Sequence, residues 1–200
     1  ELRRILPIVQ KLAQEVTTPL SIDTYKPAVA KACLEAGAKI INDITGLIDP
    51  EMRHVVAEHQ ATAVIMHMQG TPQTMQQNPD YTDVMQEIKE FFQERIYLAQ
   101  KDGVQKIILD PGIGFGKTLQ HNLHILKHLS AFKELGYPLL IGTSRKSFIG
   151  QLTDLPVDQR LEGTIASVVV ACLNGAEWVR VHDVLACKRA LRIADAIQNS

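Results

Sequence analysis

The sequence predicts an α/β fold class, specifically a (β/α)8 TIM barrel whose strands 3–8 are represented in this chain. Six short apolar segments rich in β-branched residues alternate with amphipathic helical segments, and the chain opens on a helical segment. Uninterrupted alternation of strand and helix is typical of a parallel sheet with right-handed crossovers. All six predicted strands also end in chemically capable polar side chains. Together these observations favour the barrel.

The individual elements follow from the local sequence. The strands are predicted at PLSID (19–23), AKIIND (38–43), ATAVIMHM (61–68), KIILD (106–110), PLLIGTSR (138–145) and EWVRVHD (177–183). Buried parallel strands are almost continuously apolar, as KIIL and PLLI are. The helices are predicted near 27–36, 51–59, 81–102, 120–135, 158–174 and 184–198. Pro27 and Gly37 bound the first of these helices, with proline at the start and glycine after the end.

An open doubly wound sheet is the competing architecture. It concentrates ligand contacts at one switch point, whereas a barrel collects them from many strand ends around one mouth. The polar residues at the six strand ends are Asp23, Asn42 with Asp43, His67, Asp110, Ser144 with Arg145, and His182 with Asp183. So many contributing strands favour the barrel. Because closure takes eight strands, we expect the first two βα units to precede Glu1 and the strands at 19–23 and 177–183 to have unpaired edges.

Composition and charge limit the classes of function. The chain has 200 residues, of which 46% are hydrophobic and 22% charged, with a net charge of -1 and a pI of about 6.7. These values predict one globular domain over 1–200 and no nucleic-acid or membrane partner. The most apolar stretch, Ile165 to Leu173, has roughly half the length of a membrane-spanning helix. The three widely spaced cysteines predict a reducing, cytoplasmic location.

Two motifs resemble sites that their spacing does not support. In DPGIGFGKT (110–118), Pro111 stands where a Walker A loop needs its first glycine, and the glycine spacing does not match a dinucleotide fingerprint. We interpret the segment as a loop that lets the backbone approach a flat ligand. Phe115 at its tip either contacts that ligand or only packs. His121, His124 and His128 share one helical face opposite leucines, so we expect a solvent-facing surface rather than a metal site.

Two groups of strand-end residues are suited to binding. Arg180 and His182 alternate on the last strand and point to one side, which predicts a clamp for phosphate oxygens; an arginine paired with a carboxylate is the alternative. Two carboxylates and an amide can accept hydrogen bonds from the donors of a ring such as a pterin: Asp23, Asp110 and Asn42. Because both aspartates end strongly apolar strands, we expect partly buried carboxylates, and helix capping is the alternative for each. Lys146 follows a buried strand in a loop rich in Gly, Ser and Thr, so we expect it at the same mouth.

Five segments resemble bacterial dihydropteroate synthases: SIDTYKPAVAKACLEAGAKIINDITG (21–46), HMQGTPQTMQ (67–76), DPGIGFGK (110–117), GTSRKSFIG (142–150) and RVHDV (180–184). They occur in the family's order, and the resemblance covers the whole chain. It implies a (β/α)8 barrel and a homodimer built on the late helices. It also implies a transferase of folate biosynthesis, which condenses 6-hydroxymethyl-7,8-dihydropterin pyrophosphate with p-aminobenzoate to give 7,8-dihydropteroate and pyrophosphate.

The resemblance implies a role for individual residues. The pterin would be bound by Asp23, Asn42, Met66, Asp110 and Lys146. Arg180 and His182 would hold the pyrophosphate. Phe115, Ser144 and Lys146 would line the p-aminobenzoate side, where sulfonamides also bind in this family. Asp23 and Lys146 are the residues expected to act in catalysis.

The implied chemistry needs no covalent nucleophile. Pyrophosphate would leave first, assisted by Mg²⁺ and the Arg–His clamp, and Asp23 would stabilise positive charge on the pterin methylene before the amine attacks. The family's asparagine metal ligand and two loops of its p-aminobenzoate pocket lie in its first two units, which have no counterpart here. We therefore expect no metal ligand in this chain and no turnover by residues 1–200 alone.

Two other functions fit part of the pattern. A non-catalytic pterin-binding module would bind the ring without turnover. A pterin-dependent methyltransferase would share the Asp/Asn contacts with the pterin. It would not be expected to contain TSRKSFIG together with RVHDV.

Overall fold

The computed structural model describes residues 1–200, whose contacts divide them into two compact units. The first unit comprises residues 1–67 and 90–109, and the second comprises residues 68–89 and 110–200. Both contain parallel strands that alternate with helices, so the predicted α/β class is confirmed. A single domain over 1–200 stays a prediction. None of the helices combines the length and the apolar character needed to cross a membrane.

The first unit is built on a four-stranded sheet in the order β1-β2-β3-β4. Its strands are β1 (Ser21–Asp23), β2 (Ile40–Asp43), β3 (Thr62–Met66) and β4 (Lys106–Asp110), whose final residue belongs to the second unit. The first three strands are parallel, with Asp23 level with Asn42 and Asp43 level with Ile65. This register brings the carboxyl ends of β1 and β2 side by side.

Helices cover this sheet and follow the local signals of the sequence. They are α1 (Leu2–Glu15), α2 (Pro27–Glu35), α3 (Pro50–Glu58) and the part of α4 (Val84–Lys101) that begins at residue 90. Proline starts both α2 and α3, and the Asp49 side chain caps α3 by accepting from the Glu51 amide at 2.8 Å. The core of the unit is apolar, and Ile41, Ile65, Met52 and Phe92 in it are fully buried.

The second unit contains a two-stranded parallel sheet, β5 (Leu140–Ile141) and β6 (Trp178–Val179), with Leu140 level with Trp178. Its helices are the start of α4, then α5 (Leu119–Lys127), α6 (Ser147–Thr153), α7 (Leu161–Leu173) and α8 (Val184–Gln198), with 3-10 turns at Leu129–Leu135 and Val157–Gln159. Pairing of β5 with β6 aligns the GTSRK and RVHD segments that follow them. The unit therefore places two motifs of polar residues next to each other.

The element boundaries differ from the predictions in identifiable ways. The regular part of the strands predicted at 138–145 and 177–183 is only two residues long in each case, because the polar residues after Ile141 and Val179 turn out of the ladder. The helix predicted at 120–135 is α-helical only to Lys127 and continues as a 3-10 turn. Helix α6 was not predicted, since its seven residues are too short to show a helical period.

Candidate active site

In the first unit, Asp23 and Asn42 form one polar pair at the ends of neighbouring strands. Asn42 Nδ2 donates to Asp23 Oδ1 at 2.5 Å. Asn42 is 1% exposed, and its Oδ1 is buried without a hydrogen-bond partner in the protein. A buried acceptor left unsatisfied costs stability, so this oxygen is suited to receive a donor from a ligand.

The prediction of a partly buried Asp23 was wrong, because this residue is exposed. The reason is that β1 lies at the edge of its sheet and has a neighbouring strand on one side only. Met66, predicted as an apolar wall for the ring, is 3% exposed and ends β3.

Asp43 is next to Asn42 but has a different role. It is fully buried, and its carboxylate accepts from the Thr45 amide at 2.8 Å, the Thr45 hydroxyl at 2.7 Å and the Leu47 amide at 3.2 Å. Burial raises the pKa of Asp43, and these donors oppose the rise. Because all these contacts lie within residues 43–47, Asp43 shapes the loop after β2, whereas Asn42 remains available for a ligand.

In the second unit, Asp110 is the buried carboxylate of a cationic cluster. It is 6% exposed, and its Oδ1 accepts from the Gly112 amide at 2.8 Å. Burial raises the pKa of Asp110, while the positive charges of Lys146, Arg180 and Lys117 favour its ionised form. One anion among three cations gives this region a net positive charge, which suits a phosphorylated ligand.

The glycine-rich loop after β4 is held by side chains that donate hydrogen bonds to four consecutive carbonyl groups. Positive φ angles at Gly112, Gly114 and Gly116 point successive carbonyls in different directions. The donors are Lys146 to Ile113, Gln76 to Gly114 at 2.8 Å, Lys117 to Phe115 at 2.9 Å, and Tyr81 to Gly116 at 2.8 Å. The loop is therefore fixed from several directions, and half-buried Phe115 is at its centre.

Lys146 connects this loop to Asp110. Its ammonium donates to the Ile113 carbonyl and lies 4.6 Å from the centroid of the Phe115 ring, a cation–π contact. Burial lowers the pKa of Lys146 to about 8, the Arg180 charge acts in the same direction, and Asp110 opposes both. The structure therefore brings together three predicted residues: Lys146, Asp110 and Phe115.

Ser144 lies beside His182. The Ser144 hydroxyl is 2.8 Å from His182 Nδ1 and accepts from the His182 backbone amide at 3.2 Å. The direction of the hydroxyl–Nδ1 contact depends on the tautomer of the ring: when the hydroxyl donates to Nδ1, Nε2 carries the ring proton. His182 itself is exposed, so Nε2 can donate to an external anion.

The Ser–His contact is not a nucleophilic triad. The nearby acid, Asp183, is bound by Arg145 through Nε at 3.1 Å and Nη2 at 2.9 Å. No contact shown by the structure allows that carboxylate to orient the imidazole, as acyl-transfer catalysis requires. The pair is better suited to hold an anion than to form a covalent intermediate.

The backbone that presents Ser144 and Lys146 is itself constrained. Arg145 between them has φ 58°, a left-handed conformation that is uncommon for residues other than glycine. Its amide donates to the Thr164 hydroxyl at 3.0 Å, and Arg160 donates to the carbonyl groups of Arg145 and Lys146 at 3.0 and 3.3 Å. This bracing accounts for how a strained turn persists at the site.

Comparison with known proteins decides the family. The sequence pattern of the family described as "Pterin binding enzyme" matches residues 1–182. The dihydropteroate synthase of Synechocystis sp. is 47% identical over 201 residues, which cover 98% of this chain and 70% of that protein. The chain belongs to the dihydropteroate synthases. Among solved structures, the Yersinia pestis dihydropteroate synthase with a sulfonamide drug matches with a TM-score of 0.97 at 43% identity, over 99% of this chain and 73% of that one.

Further relatives agree with this assignment. The dihydropteroate synthase of Escherichia coli is 43% identical over 98% of this chain. The Thermus thermophilus enzyme in complex with 6HMPPP matches with a TM-score of 0.95 at 41% identity, over 99% of this chain and 79% of that one. The likeness to these dihydropteroate synthase structures confirms the predicted (β/α)8 fold class.

For this dihydropteroate synthase, several residues with clear contacts at the site were not predicted. Four side chains hold the loops at the site through hydrogen bonds to carbonyl groups and an ion pair: Lys117, Arg145, Arg160 and Asp183. Asp183 and Arg145 were noted only as strand-end residues, and their pairing was not foreseen. The 2.9 Å ion pair depends on the alignment of β5 with β6, which the sequence alone does not give.

The described residues do not provide a metal cage. No three His, Cys, Asp or Glu side chains lie close enough together to hold an ion. His124 and His128 face solvent as predicted, but His121 is half-buried: it forms a capping box with Thr118 and stacks edge-on to Tyr81 at 5.0 Å.

Proposed function

We propose that this protein acts in the dihydropteroate synthase reaction, which joins 6-hydroxymethyl-7,8-dihydropterin pyrophosphate to p-aminobenzoate. The expected lack of turnover by residues 1–200 alone stays a prediction. The observation on which the proposal rests is the 47% identity to a dihydropteroate synthase across 98% of the chain. Solved relatives are described with 6HMPPP, 4-aminobenzoate, pteroic acid and a sulfonamide. The polar groups on the two units supply suitable partners for each part of these ligands.

Each unit, taken by itself, offers acceptors for a pterin ring, whose amino group and ring N–H groups are donors. The Asp23–Asn42 pair supplies them in the first unit, and Asp110 supplies them in the second. Asp110 must be ionised to accept two donors, which the surrounding cations favour. Met66, at the end of β3, would be the apolar neighbour of the ring, as the resemblance implies.

The pyrophosphate fits the Arg180 and His182 side chains. Arginine binds phosphate oxygens through paired N–H groups, and Nε2 of His182 adds another donor in the tautomer in which Nδ1 accepts from Ser144. We reassign Ser144 to this side, because its hydroxyl fixes the orientation of His182. In the resemblance Ser144 belonged to the p-aminobenzoate side, and that role stays a prediction.

The p-aminobenzoate fits the surface formed by Phe115 and Lys146. The half-buried ring of Phe115 can stack on the benzoate ring, and the Lys146 ammonium above it provides a positive charge for the carboxylate. A sulfonamide has a similar aromatic amine, so the same surface would bind it.

The reaction then needs positioning and charge stabilisation. The bond between the pterin methylene carbon and the pyrophosphate oxygen breaks, and both electrons leave with the pyrophosphate. The amine nitrogen of p-aminobenzoate forms the new carbon–nitrogen bond and loses a proton. Asp23 is exposed at the end of β1 and would stabilise the positive charge that develops on the pterin.

Mg²⁺, a homodimer and a cytoplasmic location are further parts of this proposal. Mg²⁺ is commonly bound by one or two carboxylates together with substrate phosphates, and the proposed substrate contains a pyrophosphate. Three free cysteines support a reducing compartment. Loss of turnover on adding EDTA, restored by Mg²⁺, would support the metal; light scattering of the purified protein would test the dimer.

The test of function is pyrophosphate release by the intact protein. Release should require both the pterin pyrophosphate and p-aminobenzoate. Binding of the pterin without release would favour the non-catalytic module. Transfer of a methyl group from a methylated pterin would favour the methyltransferase.

A further inference from the structure

Lys117 is a buried lysine for which the proposed reaction has no use. It is 3% exposed, and it immediately precedes Thr118, which caps the N-terminus of α5. Burial disfavours an ammonium group, and so does the partial positive charge of a helix N-terminus. Burial lowers the pKa of Lys117 to about 7, with Lys146 adding to the effect and Asp110 opposing it. A group so costly to bury needs compensating contacts.

One contact of Lys117 is with the backbone of Phe115. Its Nζ donates to the Phe115 carbonyl at 2.9 Å. The ring of the same residue lies 4.6 Å from the ammonium of Lys146, which also donates to the Ile113 carbonyl. Phe115 is therefore held by one lysine through its carbonyl and by a second through its ring.

We infer that Lys117 is a positioning residue for p-aminobenzoate, which fixes the Phe115 ring from the buried side of the glycine-rich loop. This inference rests on the proposed function. Gln76 and Tyr81 hold the neighbouring carbonyls of Gly114 and Gly116, so the rest of the loop keeps its contacts when Lys117 is changed. Loss of Lys117 therefore removes a donor from the carbonyl of Phe115 itself.

The charged groups near Lys117 bear on whether it acts on p-aminobenzoate through Phe115 or affects a substrate directly. Asp110, Lys146 and His121 influence it or are influenced by it electrostatically. A change at Lys117 alters the electrostatic environment of Asp110, which is a proposed pterin ligand. We therefore expect it to have a weak effect on pterin binding as well. A purely structural lysine would affect both substrates equally, whereas a residue acting through Phe115 affects p-aminobenzoate most.

A double-mutant cycle in the intact protein tests the inference. Lys117→Met keeps the length and apolar stem of the side chain and removes the donor. We expect it to raise the KM for p-aminobenzoate about tenfold, as loss of a charged hydrogen bond does. The KM for the pterin pyrophosphate should rise much less. In a Phe115→Ala background the same change should have an effect of less than about twofold, because the two residues act as one unit.

Lys127→Met, on the exposed face of α5, is the matched control and should change neither KM. If Lys117→Met does not fold, as circular dichroism will show, Lys117→Gln keeps a donor with a shorter reach and enters the same cycle. Two outcomes would overturn the inference. One is an equal fold-change in the KM for p-aminobenzoate with and without Phe115→Ala, and the other is an equal rise in KM for both substrates. If the unmutated protein has no turnover, the proposed function fails instead, and calorimetric binding of p-aminobenzoate to the same variants still tests Lys117.

Discussion

Asn42 donates a hydrogen bond of 2.5 Å from its Nδ2 to Oδ1 of Asp23, while its own Oδ1 is buried with no partner in the protein. The hydrogen bond fixes the orientation of the amide, because reversing it would place two oxygens together. The free acceptor is therefore held ready for a donor on a ligand. This relationship is the clearest sign in the first unit of a site that is incomplete without a bound molecule.

Replacing Asn42 tests that acceptor. Asn42→Leu has a similar size and no polar atoms, and we expect it to weaken pterin binding by about 1–3 kcal/mol, since a ligand donor loses its partner. Titration calorimetry with the pterin measures the change. Asn199→Leu, at an exposed position near the end of α8, is the control and should bind normally. Unchanged affinity in Asn42→Leu would exclude the residue from the site.

The ionisation of Asp110 predicts a pH dependence of pterin binding. Burial raises its pKa, so its carboxylate takes up a proton at a higher pH than an ordinary aspartate does. The protonated form accepts donors poorly, so affinity should fall as the pH is lowered into the acid range, beginning above the pH at which an ordinary aspartate takes up its proton. Calorimetry across this range measures the fall, and Asp110→Asn should bind weakly at every pH. The same pH dependence in that variant would assign it to another group.

Arg180 should distinguish the phosphorylated pterin from the pterin alone. Arg180→Ala removes a charged, paired donor, which should cost about 1.5–3 kcal/mol of affinity for the pyrophosphate and much less for the pterin without phosphates. Binding of both ligands to the variant provides the comparison. Arg189→Ala, on the exposed surface of α8, controls for loss of positive charge. Equal losses for both ligands would mean that Arg180 only supports the fold.

Gly116 should be required for the loop around Phe115. It has φ 61°, and a Cβ there would meet the Gln69 carbonyl oxygen at 2.6 Å. Gly136 has φ 77° but no atom within 4 Å of such a Cβ, so Gly136→Ala measures the cost of the backbone conformation alone. Gly116→Ala should destabilise the protein by roughly 1–3 kcal/mol more than that control, as overpacking does. Urea unfolding gives both values, and equal losses would show that the loop tolerates the clash.

Much of the fold could be predicted because each strand is a short apolar segment that ends in polar residues. The alternation of elements and the strand ends at Asp23, Asn42 and Asp110 were predicted from that pattern and are present. The exposure of Asp23 was missed because burial depends on the position of β1 within the sheet. The short helix α6 was missed because seven residues show no clear period.

The supporting contacts of the site could not be predicted for a related reason. Arg145 meets Asp183 across 38 positions of sequence, and Arg160 reaches back to the carbonyls of residues 145 and 146. Such contacts depend on strand register and on a left-handed turn, neither of which leaves a local sequence signal. The sequence assigns no separate role to Lys117 within the glycine-rich motif, because its burial depends on tertiary packing.

The most direct test of the proposed function follows an isotopic label from p-aminobenzoate into the product. The intact protein is incubated with 6-hydroxymethyl-7,8-dihydropterin pyrophosphate, ring-labelled p-aminobenzoate and Mg²⁺, and the mixture is analysed by mass spectrometry. Arg180→Ala serves as the impaired control. The account predicts labelled 7,8-dihydropteroate and an equal amount of pyrophosphate, with much less of both from the variant. Bound pterin with no labelled dihydropteroate would contradict it.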